Sequence, residues 1–215
     1  MHTVLSTKTL SPAQKNLLLN AGIGLVEYNA IKIEALDFTC EEVISNGIIT
    51  SQNAAKIIIN RKIKIENAFC VGENTAAFLK DQGFDIVESA NYGKDLAEIL
   101  YKRYSSRNFT FFCGDKRRDD IPLILKQKNI EVREIEVYNT TLVPKTFDQK
   151  FDGILFFSPS AVQSFMMKNQ PGQTPAFCIG TTTASEAENF TQNIIIATKP
   201  SIENVIVQVV KKFRI

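Results

Sequence analysis

The chain has 215 residues, 44% of them hydrophobic, with 25 basic and 23 acidic side chains and a formal net charge of +2. That balance leaves no basic stripe for DNA or RNA, and no apolar run approaches the roughly 18 residues that read as a membrane span. The length suits one large domain or two small ones. The opening MHTVLSTKTL lacks the basic start, apolar centre and cleavage site of a secretory signal, so a soluble cytoplasmic protein is expected.

In chain order, a short apolar run at 3–5 predicts a first strand. Ser11-Pro12 then opens a helix over 11–20, an N-cap followed by a proline at the first helical position. A strand is expected over 25–33. Strand and helix then alternate: strand 47–50, helix 54–60, strand 68–71, helix 75–82, helix 94–104, strand 109–113, helix 119–128, strand 131–138, strand 153–157, helix 161–168, strand 176–179, helix 183–188, strand 194–197 and helix 201–211. Most of the strands are continuously apolar rather than alternating, as in parallel sheets covered on both faces. The alternation itself argues an α/β fold with parallel sheets flanked by helices.

The four cysteines, Cys40, Cys70, Cys113 and Cys178, form no C-x-x-C pair, and three lie in strandlike runs. Buried thiols in a reducing compartment are expected. His2 is the only histidine. No Cys/His metal cluster can be composed, and a Ser-His-Asp triad would need a histidine near the N-terminus. Chemistry without imidazole or metal is expected.

Two stretches are nearly the same sentence: FCVGENTAAFLKDQGF from Phe69 and FCIGTTTASEAENF from Phe177. Ser51 in ITSQNAA matches Ser158 in FFSPSAV, Asn46-Gly47 matches Asp152-Gly153, and Thr3 matches Thr110, all about 107 positions apart and in the same order. The chain therefore reads as a duplicated half. Segments 25–33 and 131–138 are the crossovers between halves. The expected division is 1–34 plus 143–215 as a discontinuous first domain and 35–142 as an inserted second one. Two crossings make a hinge, and a cleft between domains is the expected ligand site.

The repeated motifs share a chemistry. Strands end and small polar residues open helices: Thr50-Ser51-Gln52-Asn53, Glu73-Asn74-Thr75, Ser158-Pro159-Ser160 and Thr181-Thr182-Thr183. In open parallel sheets ligands collect at strand carboxyl ends, and helix-start N–H groups with Ser and Thr hydroxyls suit anions. The same residues also serve as plain N-caps. Cys113-Gly114-Asp115-Lys116-Arg117-Arg118 is a basic turn after a strand, and Lys94 follows another glycine turn. Either reads as a solvated helix start or an anion contact. Tyr138, on a crossover, is either an ordinary strand residue or a phenol placed to donate a proton. P-loop and G-x-G-x-x-G patterns are absent.

Along almost its whole length the chain resembles the uroporphyrinogen-III synthase family, through ITSQNAA, FCVGENTAAFLKDQGF, YGKDLAEIL, FFCGDKRRDDIPLILKQKNIEVREIEVYNT, ILFFSPSAVQSF and FCIGTTTASEAENF. The resemblance implies two similar α/β domains joined by a two-stranded β connector. It implies a cytoplasmic lyase, needing no cofactor or metal, that closes the linear tetrapyrrole hydroxymethylbilane to uroporphyrinogen III with inversion of ring D and loss of water. Its partner would be this small molecule; with no long exposed apolar stripe in the sequence a monomer is expected, and with balanced charge and no apolar span, no nucleic acid and no membrane. By the same resemblance Tyr138 and Thr183 are the catalytic candidates, and Ser51, Asn53, Thr75, Arg118, Ser158, Ser160 and Thr182 are the substrate-binding candidates. Gln52 and Thr181 stand where the family often carries proline, which concerns local loop shape. Two alternatives fit the duplication: a non-catalytic hinge protein binding a polyanionic small molecule, and a glycosyltransferase-like enzyme. The latter would need a nucleotide site that the sequence does not show.

Overall fold

The computed structural model describes residues 1–117 and 119–213. Its elements are β1 (Thr3–Ser6), α1 (Pro12–Leu19), β2 (Gly24–Glu27), β3 (Ile31–Ala35), β4 (Val43–Ile49), α2 (Gln52–Asn60), β5 (Lys64–Val71), α3 (Glu73–Asp81), β6 (Ile86–Ala90), α4 (Gly93–Tyr104), β7 (Phe109–Gly114), α5 (Asp120–Gln127), β8 (Val132–Leu142), β9 (Gly153–Phe156), α6 (Pro159–Met166), β10 (Ala176–Cys178), α7 (Thr181–Ala187), β11 (Ile194–Ile196) and α8 (Ile202–Phe213). Two compact units result. One comprises Met1–Lys32 with Thr141–Ile215, the other Ile33–Thr140. The cuts fall inside β3 and β8, two residues before the divisions expected from the repeat.

The discontinuous unit has a five-stranded sheet ordered β11-β10-β9-β1-β2. The inserted unit has a six-stranded sheet ordered β3-β8-β7-β4-β5-β6. Apart from β3, the two orders are the same once β9, β10, β11, β1 and β2 are matched to β4, β5, β6, β7 and β8. The matched pairs are parallel throughout. Each unit is a rewiring of the other: the inserted one runs through its strands in chain order, whereas the discontinuous one takes two strands from before the insertion and three from after it.

The cores repeat as well. Successive strand residues point to opposite faces of a sheet. In the inserted unit Ile48, Phe69 and Phe111 pack on one face with Leu96, Leu100 and Leu125, while the next residues, Ile49, Cys70 and Phe112, pack on the other with Ala55, Ile58 and Leu79. In the discontinuous unit Val4, Leu155 and Phe177 meet Leu18, Val205 and Val209, while Leu5, Phe156 and Cys178 meet Val162, Phe165 and Ala187. Both faces are buried, which is why the strands read as unbroken apolar runs. Each such large side chain contributes about 1.5–3 kcal/mol on burial. The helices bury the same spacing: Ala54, Ala55 and Ile58 on α2, Ala161, Val162 and Phe165 on α6.

Three expectations need correction. Segment 25–33 is two strands, β2 and β3, because the chain leaves the sheet at Tyr28–Ala30, where the Tyr28 and Ala30 N–H groups donate to the Ser6 and Thr7 carbonyls at 3.1 Å. Strand β6 escapes the apolar pattern because it is an edge strand with one neighbour and no fully buried residue. The pairing of Thr3 with Thr110 is off by one: Gly153 faces Val4 as Gly47 faces Thr110. Residue type suggested that match, but register is set where the chains pass closest. A methyl on Gly47 would come within 2.9 Å of Ile65, and one on Gly153 within 2.7 Å of Phe177.

Cys70, Cys113 and Cys178 are buried, Cys40 is half-buried, and all four are free. Burial pushes the thiols of Cys70 and Cys178 up to about 12 and that of Cys113 up to about 11. No helix among the described residues is long and apolar enough to cross a membrane.

Candidate active site

In both units the small polar residues lie at the carboxyl ends of neighbouring central strands. In the inserted unit β4 runs into α2 and β5 into α3; in the other, β9 runs into α6 and β10 into α7.

Ser51 is the N-cap of α2, its Oγ accepting the Ala54 N–H at 3.1 Å. Ser158 is the N-cap of α6, its Oγ accepting the Ala161 N–H at 3.1 Å. Both serines therefore do serve as caps, a role worth about 1 kcal/mol. Capping uses the oxygen as acceptor and leaves the hydroxyl proton for another partner. The Tyr138 hydroxyl lies 3.2 Å from Ser51 Oγ, a hydrogen bond in which either oxygen can be the donor. Asn53, on the first turn of α2, is near enough to the phenol to draw its pKa down.

Burial raises the Tyr138 pKa, with the nearby Cys113 and Asp115 adding to the rise, against the opposing pull of Ser51 and Asn53. The phenol thus keeps its proton across neutral pH. A strand bulge aims it. Cys113 pairs with Glu136, but Gly114 pairs with Tyr138, so Val137 is the extra residue. The turn is fixed at both ends by Asp115, whose N–H donates to the Tyr138 carbonyl at 3.1 Å and whose Oδ1 accepts the Thr140 N–H at 2.8 Å.

At α3, Thr75 is 6% exposed and occupies the third helical position. Thr183 is 2% exposed and occupies the same position of α7. The covered hydroxyls leave Thr182, partly exposed, as the more accessible of the threonine pair. The glycines before the two helices differ despite the repeat. Gly72 has φ +88°, a conformation that favours glycine, whereas Gly180 is extended and open. Ser160, in the first turn of α6, is half-buried.

The structure therefore brings Ser51 and Tyr138 into direct contact, with Asn53 on the same first turn of α2, and sets Thr75 in the first turn of α3 after the adjacent strand. Ser158, Ser160, Thr182 and Thr183 are grouped likewise in the other unit. Arg118 lies outside the described residues. Arg117 beside it is neutralised by Glu134, which it meets through two guanidinium nitrogens, and by Asp119 at 3.3 Å. It is no free anion contact. Lys94 is exposed on α4.

Two residues that the sequence named only in passing take part. Gln52 donates from Nε2 to the Asn74 carbonyl at 3.1 Å, tying the start of α2 to the start of α3. Its position, after the capping serine, is that of Pro159 in the other unit, and this correspondence in the repeat was the available signal. Gly114 carries the phenol ring directly above it. Among the described residues no three His, Cys, Asp or Glu side chains gather to hold a metal ion.

A family model described as "Uroporphyrinogen-III synthase HemD" matches residues 13–206. The chain is 27% identical over 225 aligned positions to the porphyrin biosynthesis protein HemD of Ruminiclostridium josui, covering 88% of this chain and 44% of that protein. It is 27% identical to the uroporphyrinogen-III synthase of Saccharomyces cerevisiae, covering 66% of this chain and 57% of that one. The chain thus spans about half the length of the curated relatives it matches. Among solved structures it is similar to uroporphyrinogen-III synthetase from Helicobacter pylori, with a TM-score of 0.73 at 16% identity, covering 99% of this chain and 100% of that one. A mutant uroporphyrinogen III synthase from Thermus thermophilus gives a TM-score of 0.65 at 12% identity, covering 99% of this chain and 98% of that one. At those identities the likeness is one of fold.

Proposed function

The chain belongs to the uroporphyrinogen-III synthase HemD family, and from that membership we propose that it closes hydroxymethylbilane to uroporphyrinogen III, inverting ring D and releasing water. By reaction class it is a hydro-lyase. We read it as a cytoplasmic monomer that works on this one small molecule without a cofactor.

One observation carries the reading beyond the family: a protonated phenol, Tyr138, held by Ser51 at a strand carboxyl end, with Asn53 nearby. Loss of the substrate's terminal hydroxyl breaks a C–O bond, and the oxygen must gain a proton to leave as water. A phenol that keeps its proton at neutral pH donates a hydrogen bond or that proton to the leaving oxygen. The remaining electrophile is then attacked by a pyrrole carbon. What separates isomer III from isomer I is which carbon attacks, a matter of how the folded substrate is held. The substrate carries eight carboxylates, and helix starts that open with free N–H groups favour carboxylates by about 0.3–1 kcal/mol each. In this reading Ser51, Asn53 and Thr75 serve one group of carboxylates, Ser158, Ser160 and Thr182 serve another, and Thr183 holds the turn that presents Thr182. Arg118 belongs to the same proposal as a basic contact.

The test is isomer analysis. Hydroxymethylbilane is generated in place from porphobilinogen by a separate deaminase, the purified chain is added, and the oxidised porphyrins are separated. Mostly isomer III is expected. Isomer I alone from folded protein would overturn the reading.

A further inference from the structure

We propose that Gly114 is a positioning residue for this reaction: it exists as glycine so that the Tyr138 ring can lie over the end of β7 and bring its hydroxyl to Ser51. The proposal rests on the reading of Tyr138 given above. Gly114 is buried, and it is not among the positive-φ glycines Gly22, Gly72, Gly83 and Gly172. Backbone conformation therefore does not demand glycine there. Space does. A methyl built on Gly114 would overlap Cζ and Cε2 of Tyr138 and stand 2.8 Å from its hydroxyl oxygen, and these three atoms are its nearest neighbours. No real side chain tolerates such an approach to a ring that is half-buried and tied at its hydroxyl end.

The ring reaches this place because of the bulge. With Val137 extra, Tyr138 and Gly114 become register partners, and Asp115 holds the bulge by accepting the Thr140 N–H and donating to the Tyr138 carbonyl. A strand in regular register would put Val137, not Tyr138, opposite Gly114. Bulge and glycine form one device: the first turns the phenol onto β7, and the second makes room for it. The ring has no way to retreat without giving up the 3.2 Å contact with Ser51.

The experiment is a double-variant cycle on the full chain, read by turnover and isomer III yield. Gly114→Ala is expected to lower kcat roughly 10- to 100-fold, about as much as Tyr138→Phe, with KM changed by less than about threefold. The combined variant is expected to fall no further than Tyr138→Phe alone, because a displaced ring without a hydroxyl has nothing left to lose. Should Gly114→Ala fail to fold, the pair Tyr138→Ala and Gly114→Ala/Tyr138→Ala decides. With no ring to meet, the methyl should leave both the urea midpoint and the residual turnover of Tyr138→Ala unchanged. Multiplicative losses in the cycle, or a further loss in the Tyr138→Ala background, would overturn the proposal and leave the enzymatic reading standing. Isomer I alone from the wild-type chain would overturn both.

Discussion

The hydroxyl of Ser51 caps α2 and touches the hydroxyl of Tyr138 with the same oxygen, at 3.1 Å from the Ala54 nitrogen and 3.2 Å from the phenol. The start of a helix and the aim of a candidate acid are thus set by one atom.

Tyr138→Phe removes the hydroxyl and keeps the ring over Gly114. Turnover should fall roughly 10- to 100-fold, while the urea midpoint shifts by no more than about 1 kcal/mol. Burial holds the folded phenol's pKa above the usual value of about 10. Any stability from this group is therefore complete below about pH 10 and is lost as pH rises through the folded value. Between about pH 6 and 9.5, below that value, the turnover profiles of wild type and Tyr138→Phe should run parallel. A descending limb in that range present only in the wild type would remove Tyr138 as a protonated donor.

Ser51→Ala and Ser158→Ala delete matching caps. Each should cost about 1 kcal/mol of unfolding free energy. Only Ser51→Ala also removes a partner of the phenol, so it should lose a further ~0.5–1.5 kcal/mol in urea and lower kcat more than Ser158→Ala does. Equal stability losses would mean that the contact between Ser51 and Tyr138 contributes nothing to the fold.

Gln52→Pro copies the other unit, where Pro159 follows the capping serine. Proline is tolerated at the first helical position. It gains about 0.4–1 kcal/mol by restricting the unfolded chain and loses the bond to Asn74, worth about 0.5–1.5 kcal/mol. The midpoint should move by less than about 1 kcal/mol either way. A loss beyond about 2 kcal/mol would show that the glutamine N–H is needed.

The buried thiols set an alkaline limit. Cys70 and Cys178 titrate at about 12 in the fold and Cys113 at about 11, against about 8.5 unfolded. Above that value the unfolded chain holds fewer protons than the folded one, so stability falls as pH rises. Each thiol contributes a slope of up to about 1.4 kcal/mol per pH unit. Urea midpoints measured at about pH 8, 9 and 10 should decline, and Cys70→Ala should decline less steeply whatever its absolute stability. Parallel curves would contradict the assignment of the slope to Cys70.

Tyr28 is 8% exposed, packs edge-on to Phe147, and its buried hydroxyl has no hydrogen-bond partner among the described residues. A buried polar group in that state costs about 1–3 kcal/mol. Tyr28→Phe should leave stability unchanged or raise it by about 1 kcal/mol. A clear loss by calorimetry would show that the hydroxyl is satisfied in solution.

Central strands were legible because both faces are buried: β7 and β9 read as apolar runs since neither Phe111 nor Phe112, and neither Leu155 nor Phe156, meets water. The edge strand β6 was not, because one-sided burial gives no run and its Glu88 and Ser89 look like a loop. Ser51 and Ser158 were legible as helix openers from the repeat. The contact between Ser51 and Tyr138, residues far apart in the chain, was not, since it depends on a one-residue bulge at Val137 that no local pattern announces. Gly114 was visible only as part of a basic turn. The positive charge beside it drew the eye, yet Arg117 is spent on Glu134 and Asp119 while the uncharged residue carries the ring.

The interleaved order of the two sheets also has a consequence for synthesis. All strands of the six-stranded sheet leave the ribosome in one uninterrupted passage. β1 and β2 emerge ahead of that sheet, yet β1 must wait for its inner neighbour β9, which begins at Gly153. At about 5–20 residues per second that delay is on the order of 10 s. Throughout it, Val4 and Leu5, destined for opposite faces of a core, have nothing to pack against on the β9 side. The nascent strand, helix and strand β1-α1-β2 is therefore the segment most in need of a chaperone's protection, and the inserted unit is complete before it finds its sheet.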